Sequence, residues 1–197
     1  MNEKLLLMNG AEIKFTSIGI TYSDNGKLIL IKFKDPGAEM FVSLVLLAAN
    51  EERLSRALKL YRKFKSVSEI KETIIVGNRL SDKNILRAYN DIKFVINPKP
   101  ESPIITSLKY AISSVSNFSK YIIVCPVSKR TLESEGLSKF IEKTINKNLK
   151  FSVPLINKKR LHPIMIRRSE FEKIRRNRKE QGLKYLSKKL FTEVEIG

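Results

Sequence analysis

Two hydrophobic rhythms divide the chain, and the switch between them falls near residue 40. Before it, AEIKFTSIGITY and KLILIKFK are β-branched runs separated by SDNG. Asn25 and Gly26 tolerate positive φ, so Asp24-Asn25-Gly26 reads as a tight turn. The pattern predicts a β-hairpin over about 12–34 with a leading strand at 4–8, and Asp35-Pro36-Gly37 then breaks the chain. Residues 1–40 are expected to form an N-terminal hairpin extension, and 41–197 the main domain.

From Phe41 strands and helices alternate. VSLVLLA (42–48) is a continuous apolar run, as expected of a strand buried on both faces. Residues 51–65 place Leu54, Leu58 and Tyr61 on one helical face, with Ala57 and Phe64 beside them. TIIVG (73–77), KFVIN (93–97), YIIVCPV (121–127), FSVPLI (151–156) and the terminal FTEVEI read as further strands. Asp82 is expected to cap a helix running to about 90. Ser102-Pro103 is expected to start the next helix, with proline at the first helical position. Ser134 is expected to cap a helix to about 147. Ser169 and Glu172 have the spacing of a capping box, and Gly182 is a break in the helix that follows. Strands alternating with helices predict an α/β fold: a mostly parallel sheet with helices on both faces.

Composition narrows the class. A chain of 197 residues with 42% hydrophobic positions is of ordinary size and apolar content for a globular domain. No run approaches the roughly 20 apolar residues of a membrane span, and MNEKLLLMNG lacks the features of a signal peptide. Cys125 is alone, which excludes an internal disulfide and a cysteine-cluster metal site, so the expected compartment is the cytoplasm. Charge changes the picture more. The 38 Lys and Arg against 20 acidic residues give a formal +18, which suggests nucleic acid, a nucleotide or an acidic protein as partner. The other reading is a charged surface of the heat-adapted kind, which a single Gln181 and a single Cys fit and abundant Asn does not.

Ligands of open α/β sheets bind outside the carboxyl ends of the strands. Those ends carry Ala48-Ala49-Asn50, Gly77-Asn78, Asn97-Pro98, Pro126-Val127-Ser128 and Pro154. None belongs to a G-x-G-x-x-G or G-x-x-x-x-G-K-[ST] loop, and paired carboxylates and a Ser/His/Asp arrangement are also lacking. The only histidine, His162, sits beside Pro163 in a basic loop. The order of the pieces nevertheless carries a resemblance. NPKPESPIITSLKYAI resembles N-P-x(4)-G-x(3)-S-[LV] followed by a helix; YIIVCPVSKRTL resembles a strand ending in Asp-x-Pro; VPLINKKRLHPIMIRRSEF resembles V-P-x(4–6)-G-H-P-[VI] followed by a helix. All three segments, in this order, occur in MobA-like nucleotidyltransferases, the relatives of molybdenum-cofactor guanylyl- and cytidylyltransferases. The resemblance covers about 41–195 and implies a Rossmann-like sheet, a nucleoside triphosphate, Mg²⁺ and nucleotidyl transfer.

Position by position, the match is weakest where chemistry would occur. The family's opening A-G-G-x-S-x-R-M-G-x(2)-K loop cradles the triphosphate, whereas LLAANEERLSRAL passes directly into a helix. Its two glycines read as Ala49 and Asn50, and a Cβ blocks the close backbone approach that glycine permits. The metal-binding Asp of Asp-x-Pro aligns with Ser128 and the proline with Arg130, while two further family glycines align with Pro103 and Leu161. The family's D-[IV]-D-T-P end has no counterpart after FTEVEIG. Asn97, Pro98, Ser107, His162 and Pro163 are kept. The expectation is a nucleotidyltransferase fold, catalytically impaired, with residual nucleotide or cofactor binding or an accessory role in cofactor biosynthesis. Neither a catalytic nor a metal-binding residue is assigned, and Mg²⁺ with a nucleoside triphosphate is expected only if the family activity survives. The candidate nucleotide contacts are Asn50, Arg53, Asn97, Ser107 and Ser128. The competing readings are a solvated helix face for Arg53, a strand-end turn for Asn97 and a helix-interior serine for Ser107.

Residues 158–189 hold thirteen Lys and Arg against three Glu, which is +10 of the total +18. A basic stripe on a helix is the electrostatic footprint of polyanion binding. Lys158, Lys159, Arg160, Arg167, Arg168, Arg175, Arg176 and Arg178 are its candidates, for nucleic acid or an acidic protein, and Phe171 and Tyr185 are too sparse for base stacking. The bland reading is a solvated helix face. A homodimer through the N-terminal hairpin is a further expectation.

Overall fold

The apolar run at 42–47 lies inside the sheet it predicts. The computed structural model describes residues 4–6, 12–14, 17–22, 28–33, 41–48, 51–78, 89–99, 101–176 and 190–196, and only the backbone of the four N-terminal strands and of Glu51. The chain divides into two compact units, Met1–Glu39 and Met40–Gly197.

In the first unit β1 (Lys4–Leu6) pairs antiparallel with β2 (Glu12–Lys14), and β3 (Ser17–Tyr22) with β4 (Leu28–Phe33). The expected strand from residue 12 is therefore divided: residues 12–14 pair with the leading strand, and only 17–22 belong to the hairpin.

In the second unit the strands are β5 (Val42–Leu47), β6 (Ile70–Gly77), β7 (Ile92–Ile96), β8 (Tyr121–Pro126), β9 (Phe151–Ile156), β10 (Lys159–Arg160), β11 (Ile164–Arg167) and β12 (Thr192–Glu195). Their order is β10-β9-β11-β8-β5-β6-β7, with β12 parallel to β9. Strands β5 to β8 are mutually parallel, and β11 is inserted antiparallel between β8 and β9. The described helices are α1 (Glu51–Phe64), α2 (Ile104–Ser114), α3 (Ser134–Asn146) and α4 (Phe171–Arg176). The expected helix capped by Asp82 and the break at Gly182 lie outside the described residues.

Side chains alternate across β5. Val42, Leu44 and Leu46 join Leu54, Tyr61 and Phe64 of α1 and Leu137 and Phe140 of α3 in one core. Val45 and Leu47 join Leu108 and Ile112 of α2 and Phe171 and Ile174 of α4 in the other. Each face of the sheet thus has its own apolar layer, which is why its central strands read as unbroken hydrophobic runs.

Helix ends depart from the expected caps. Ser134 is the first residue of α3, and its hydroxyl donates to the Lys63 carbonyl at 2.7 Å instead of capping its own helix. Pro103 stands at the N-cap of α2 and not at the expected first helical position, which Ile104 takes. The capping box at 169–172 does not form. The chain enters α4 through a 3₁₀ turn, Arg168–Glu170, where the Ser169 hydroxyl meets the Glu170 carboxylate at 3.3 Å and Glu172 turns to Arg176. The strand β11 and the turn before it are absent from the sequence reading. Asn157 and Lys158 take φ of 49° and 61°, the positive pair that a two-residue hairpin loop requires between β9 and β10.

Candidate functional site

Parallel pairing in register brings the carboxyl ends of β5, β6 and β8 together, with Leu47 opposite both Val76 and Pro126. Two helices begin at this edge. Helix α1 starts four residues beyond Leu47, and α2 starts after the turn that follows β7. Helix N-termini carry partial positive charge and free N–H groups. Helix α2 has no side-chain cap and no acid in its first turn to offset that charge.

Between them lies a cleft of about 150 Å³. Leu47, Ile104 and Pro126 supply its apolar walls; Arg53, Ser102, Ser107 and Ser128 supply its polar groups. Three of the five nucleotide candidates, Arg53, Ser107 and Ser128, are thus brought together. Asn97 lies beneath, only 1% exposed. Its N–H donates to the Gly77 carbonyl at 2.7 Å, its Oδ1 accepts the Lys99 N–H at 2.9 Å, and its Nδ2 donates to Ser107 Oγ at 2.9 Å. Asn97 therefore holds the strand-end turn and positions Ser107, which is half-buried at the cleft wall. Asn50 lies outside the described residues. Ser102 was missed as a site residue, although its place between a strand end and a helix start marks it.

The loop after β8 forms one rim. Lys129 N–H donates to the Pro126 carbonyl at 3.0 Å, leaving Ser128, Lys129 and Arg130 exposed. His162 packs along this loop: its N–H donates to the Arg130 carbonyl at 3.2 Å and its carbonyl accepts from Leu132 at 2.9 Å. The His162–Pro163 bond is cis. The imidazole Nδ1 is buried without a protein partner. Burial first, and then the Lys129 charge, hold the histidine pKa below its ordinary value.

Mg²⁺ takes oxygen ligands, chiefly carboxylates and waters. Among its described residues the cleft offers a guanidinium and three hydroxyls and no carboxylate. Among the described residues no three His, Cys, Asp or Glu side chains converge to hold a metal. These residues do not fit Mg²⁺; they fit an anion.

The basic candidates are divided between two edges. Lys158, Lys159 and Arg160 follow the carboxyl end of β9, whereas Arg167 ends β11 and Arg168 follows it, beside the amino ends of β8 and β9. Arg160 pairs with Glu193 at 2.6 Å and Arg176 with Glu172 at 2.9 Å. Arg175 donates to the Ile112 carbonyl at 3.2 Å. The Arg168 guanidinium donates to the Ser119 carbonyl at 2.5 Å and to the Ser116 carbonyl. Arg178 lies outside the described residues. No described helix is long and apolar enough to cross a membrane.

Comparison with known structures gives the same architecture. Rv0371c from Mycobacterium tuberculosis H37Rv superposes with a TM-score of 0.61 at 15% identity, over 80% of this chain and 90% of that one. The 4-diphosphocytidyl-2C-methyl-D-erythritol synthase of Anaerococcus prevotii DSM 20548 gives 0.55 at 15% identity, over 80% and 87%. A CMP:2-keto-3-deoxy-manno-octonic acid synthetase in complex with CTP gives 0.56 at 8% identity, over 79% and 90%. At these identities the likeness is one of fold. Among curated proteins none matches the sequence. The model of the MobA-like NTP transferase domain matches residues 45–194, most of the chain. The chain with this cleft at its parallel strand ends is a member of the MobA-like NTP transferase family.

Proposed function

We propose that this protein is a nucleotide-binding member of its family whose capacity for nucleotidyl transfer is impaired. One observation carries the reading: among the described residues the cleft at the strand ends is lined by a cation and hydroxyls and by no carboxylate, and Ser128 stands where the resemblance puts the metal-binding Asp. Arg53 and the N-terminus of α2, which unlike that of α1 with Glu51 and Glu52 has no acid in its first turn, supply positive potential for phosphate oxygens. The hydroxyls of Ser102, Ser107 and Ser128 supply directional bonds to phosphate or ribose. Transfer needs more, because charge developing at phosphorus must be neutralised by groups already in position. Without a carboxylate set for the metal, that neutralisation is weak, and binding outlasts turnover. An accessory role in cofactor biosynthesis follows for a protein that binds without transferring. The alternative, a polyanion surface on 158–189, draws less support, because β11 divides those cations between two edges.

The test is a thermal-shift titration with CTP, GTP and ATP, each with and without Mg²⁺, against polyphosphate of equal phosphate content. CTP comes first because a fold neighbour is in complex with it. Binding stabilises by RT ln(1 + [L]/Kd), so a site of about 100 µM shows at millimolar ligand. A base-selective shift indifferent to Mg²⁺ is expected. A shift that requires Mg²⁺, with pyrophosphate released, overturns the impairment. Equal shifts for every polyanion, or none at all, overturn nucleotide binding.

A further inference from the structure

The amino edge of the sheet holds an aromatic ring in solvent on a heavily braced turn. Phe118 is 71% exposed, far more than Tyr110 at 37%, the other exposed large hydrophobic among the described residues. Its turn is fixed from several sides. Ser119 N–H donates to the Ser116 carbonyl at 3.1 Å, and Phe118 N–H to Ser116 Oγ at 3.3 Å. Arg168 grips the Ser116 and Ser119 carbonyls. Glu72 accepts the Ser116 N–H at 3.1 Å, the Ser43 hydroxyl at 2.5 Å and the Lys93 ammonium at 2.5 Å. A register shift in β6 brings this carboxylate opposite Ser43. The fold thus commits a buried carboxylate and a guanidinium to a turn whose tip buries nothing.

Cations surround that turn. Lys120 follows it directly, and its carbonyl accepts Arg168 N–H at 2.8 Å; Arg167 N–H donates to the Lys150 carbonyl at 2.9 Å. Lys120 and Lys150 are exposed and Arg167 is partly so, and among the described residues none of the three forms an ion pair with a carboxylate. The carboxylates of this edge have partners of their own: buried Glu72 and Glu170 are met by Lys93 and Lys173, half-buried Glu69 by the Ser68 and Ser138 hydroxyls, and exposed Asp91 by Lys65. A rigid aromatic face beside unpaired cations is the arrangement that holds a base by stacking and its backbone by charge. We infer that the Phe118 turn with Lys120, Lys150 and Arg167 is a binding surface for single-stranded nucleic acid, at the edge of the sheet opposite the cleft.

The full chain is titrated against a fluorescein-labelled oligouridylate of about ten nucleotides, within the usual site size, by anisotropy at about 50 to 200 mM salt. Phe118→Ala removes no core contact and is expected to weaken binding at least about fivefold with the salt slope unchanged, while Phe118→Trp restores it. Lys120→Ala and Arg167→Ala are each expected to reduce the log–log salt slope by about 0.7. Saturating mononucleotide does not displace the oligomer, which separates this surface from the cleft. The inference is overturned if Phe118→Ala binds like the wild type, if it weakens polyphosphate binding equally, or if the wild type does not bind. Poly-glutamate competing in a Phe118-dependent way also overturns it, in favour of an acidic protein partner.

Discussion

Asn97 offers the sharpest test of the cleft's geometry, because both polar ends of its buried side chain are bonded within the protein. Asn97→Ala deletes the bond to Ser107 Oγ and the bond from Lys99 N–H, both 2.9 Å long. A net hydrogen bond contributes about 1 kcal/mol. Neither orphan carries a full burial penalty, since Lys99 is exposed and Ser107 borders the cleft, so water reaches both. The expected loss is therefore about 2 kcal/mol, which for a chain of this size lowers Tm by about 4–8 °C. Ser107→Ala removes one of the two bonds and should cost about 1 kcal/mol. The double mutant isolates the shared bond, with an expected coupling near 1 kcal/mol. The assay is urea unfolding of the four proteins, with m-values checked for equality. A coupling near zero, or an Asn97→Ala cost under about 0.5 kcal/mol, would refute the argument that Asn97 anchors Ser107.

Three other outcomes follow from buried groups. Glu72→Ala strips the carboxylate from Ser43, Ser116 and Lys93, and should cost about 3 kcal/mol in urea unfolding; a cost below about 1 kcal/mol contradicts the bracing of the Phe118 turn. Burial pushes the Cys125 thiol up to about 12, so iodoacetamide at about pH 8 should leave the native protein unmodified and label it fully in urea; rapid native labelling contradicts that burial. His162 has a lowered pKa in the fold, so the unfolded chain binds its proton more readily. Its contribution to stability is intact above the ordinary histidine value and falls as pH drops below about 6.5 towards the folded value. Urea midpoints in that window should fall with pH, and His162→Gln should flatten the slope.

What could be read from the residues depended on how many signals agreed. The runs at 42–47 and 121–126 are apolar at every position but Ser43 because both faces of those strands are buried, so pattern and environment coincide. At β11 they conflict. Ile164, Met165 and Ile166 are buried, but four residues between Pro163 and Arg168 inside a strongly basic stretch give charge composition more weight than periodicity. The turn at Asn157-Lys158 was half legible, since Asn favours positive φ and Lys does not. The S-x-x-E spacing at Ser169 is a local signal, overridden by Arg168, whose grip on the Ser116 and Ser119 carbonyls sets the chain's entry into α4. At the cleft, strand-end logic led to Arg53, Ser107 and Ser128, because that rule depends on topology alone. Phe118 was invisible, since nothing in its neighbours says whether a loop aromatic turns inward or out.

Net charge misleads for a related reason: it counts cations without their partners. Arg175 donates to the Ile112 carbonyl within α2, and Arg168 to the Ser116 carbonyl just beyond it. Carbonyls at a helix C-terminus carry partial negative charge and lack intrahelical donors, so two guanidiniums there satisfy the fold before any ligand arrives. Arg160 and Arg176 are likewise held by Glu193 and Glu172. Of the residues that make 158–189 look like a polyanion stripe, these four have structural work at separate places on the sheet. Among the described residues of the stripe, Lys158, Lys159 and Arg167 form no ion pair; the first two are exposed beyond β9, while Arg167 is half-buried at the other edge, where its neighbours Lys120 and Lys150 lie outside the stripe altogether. Polyanion affinity in this chain should therefore follow the position of a substitution and not the net charge that the substitution removes.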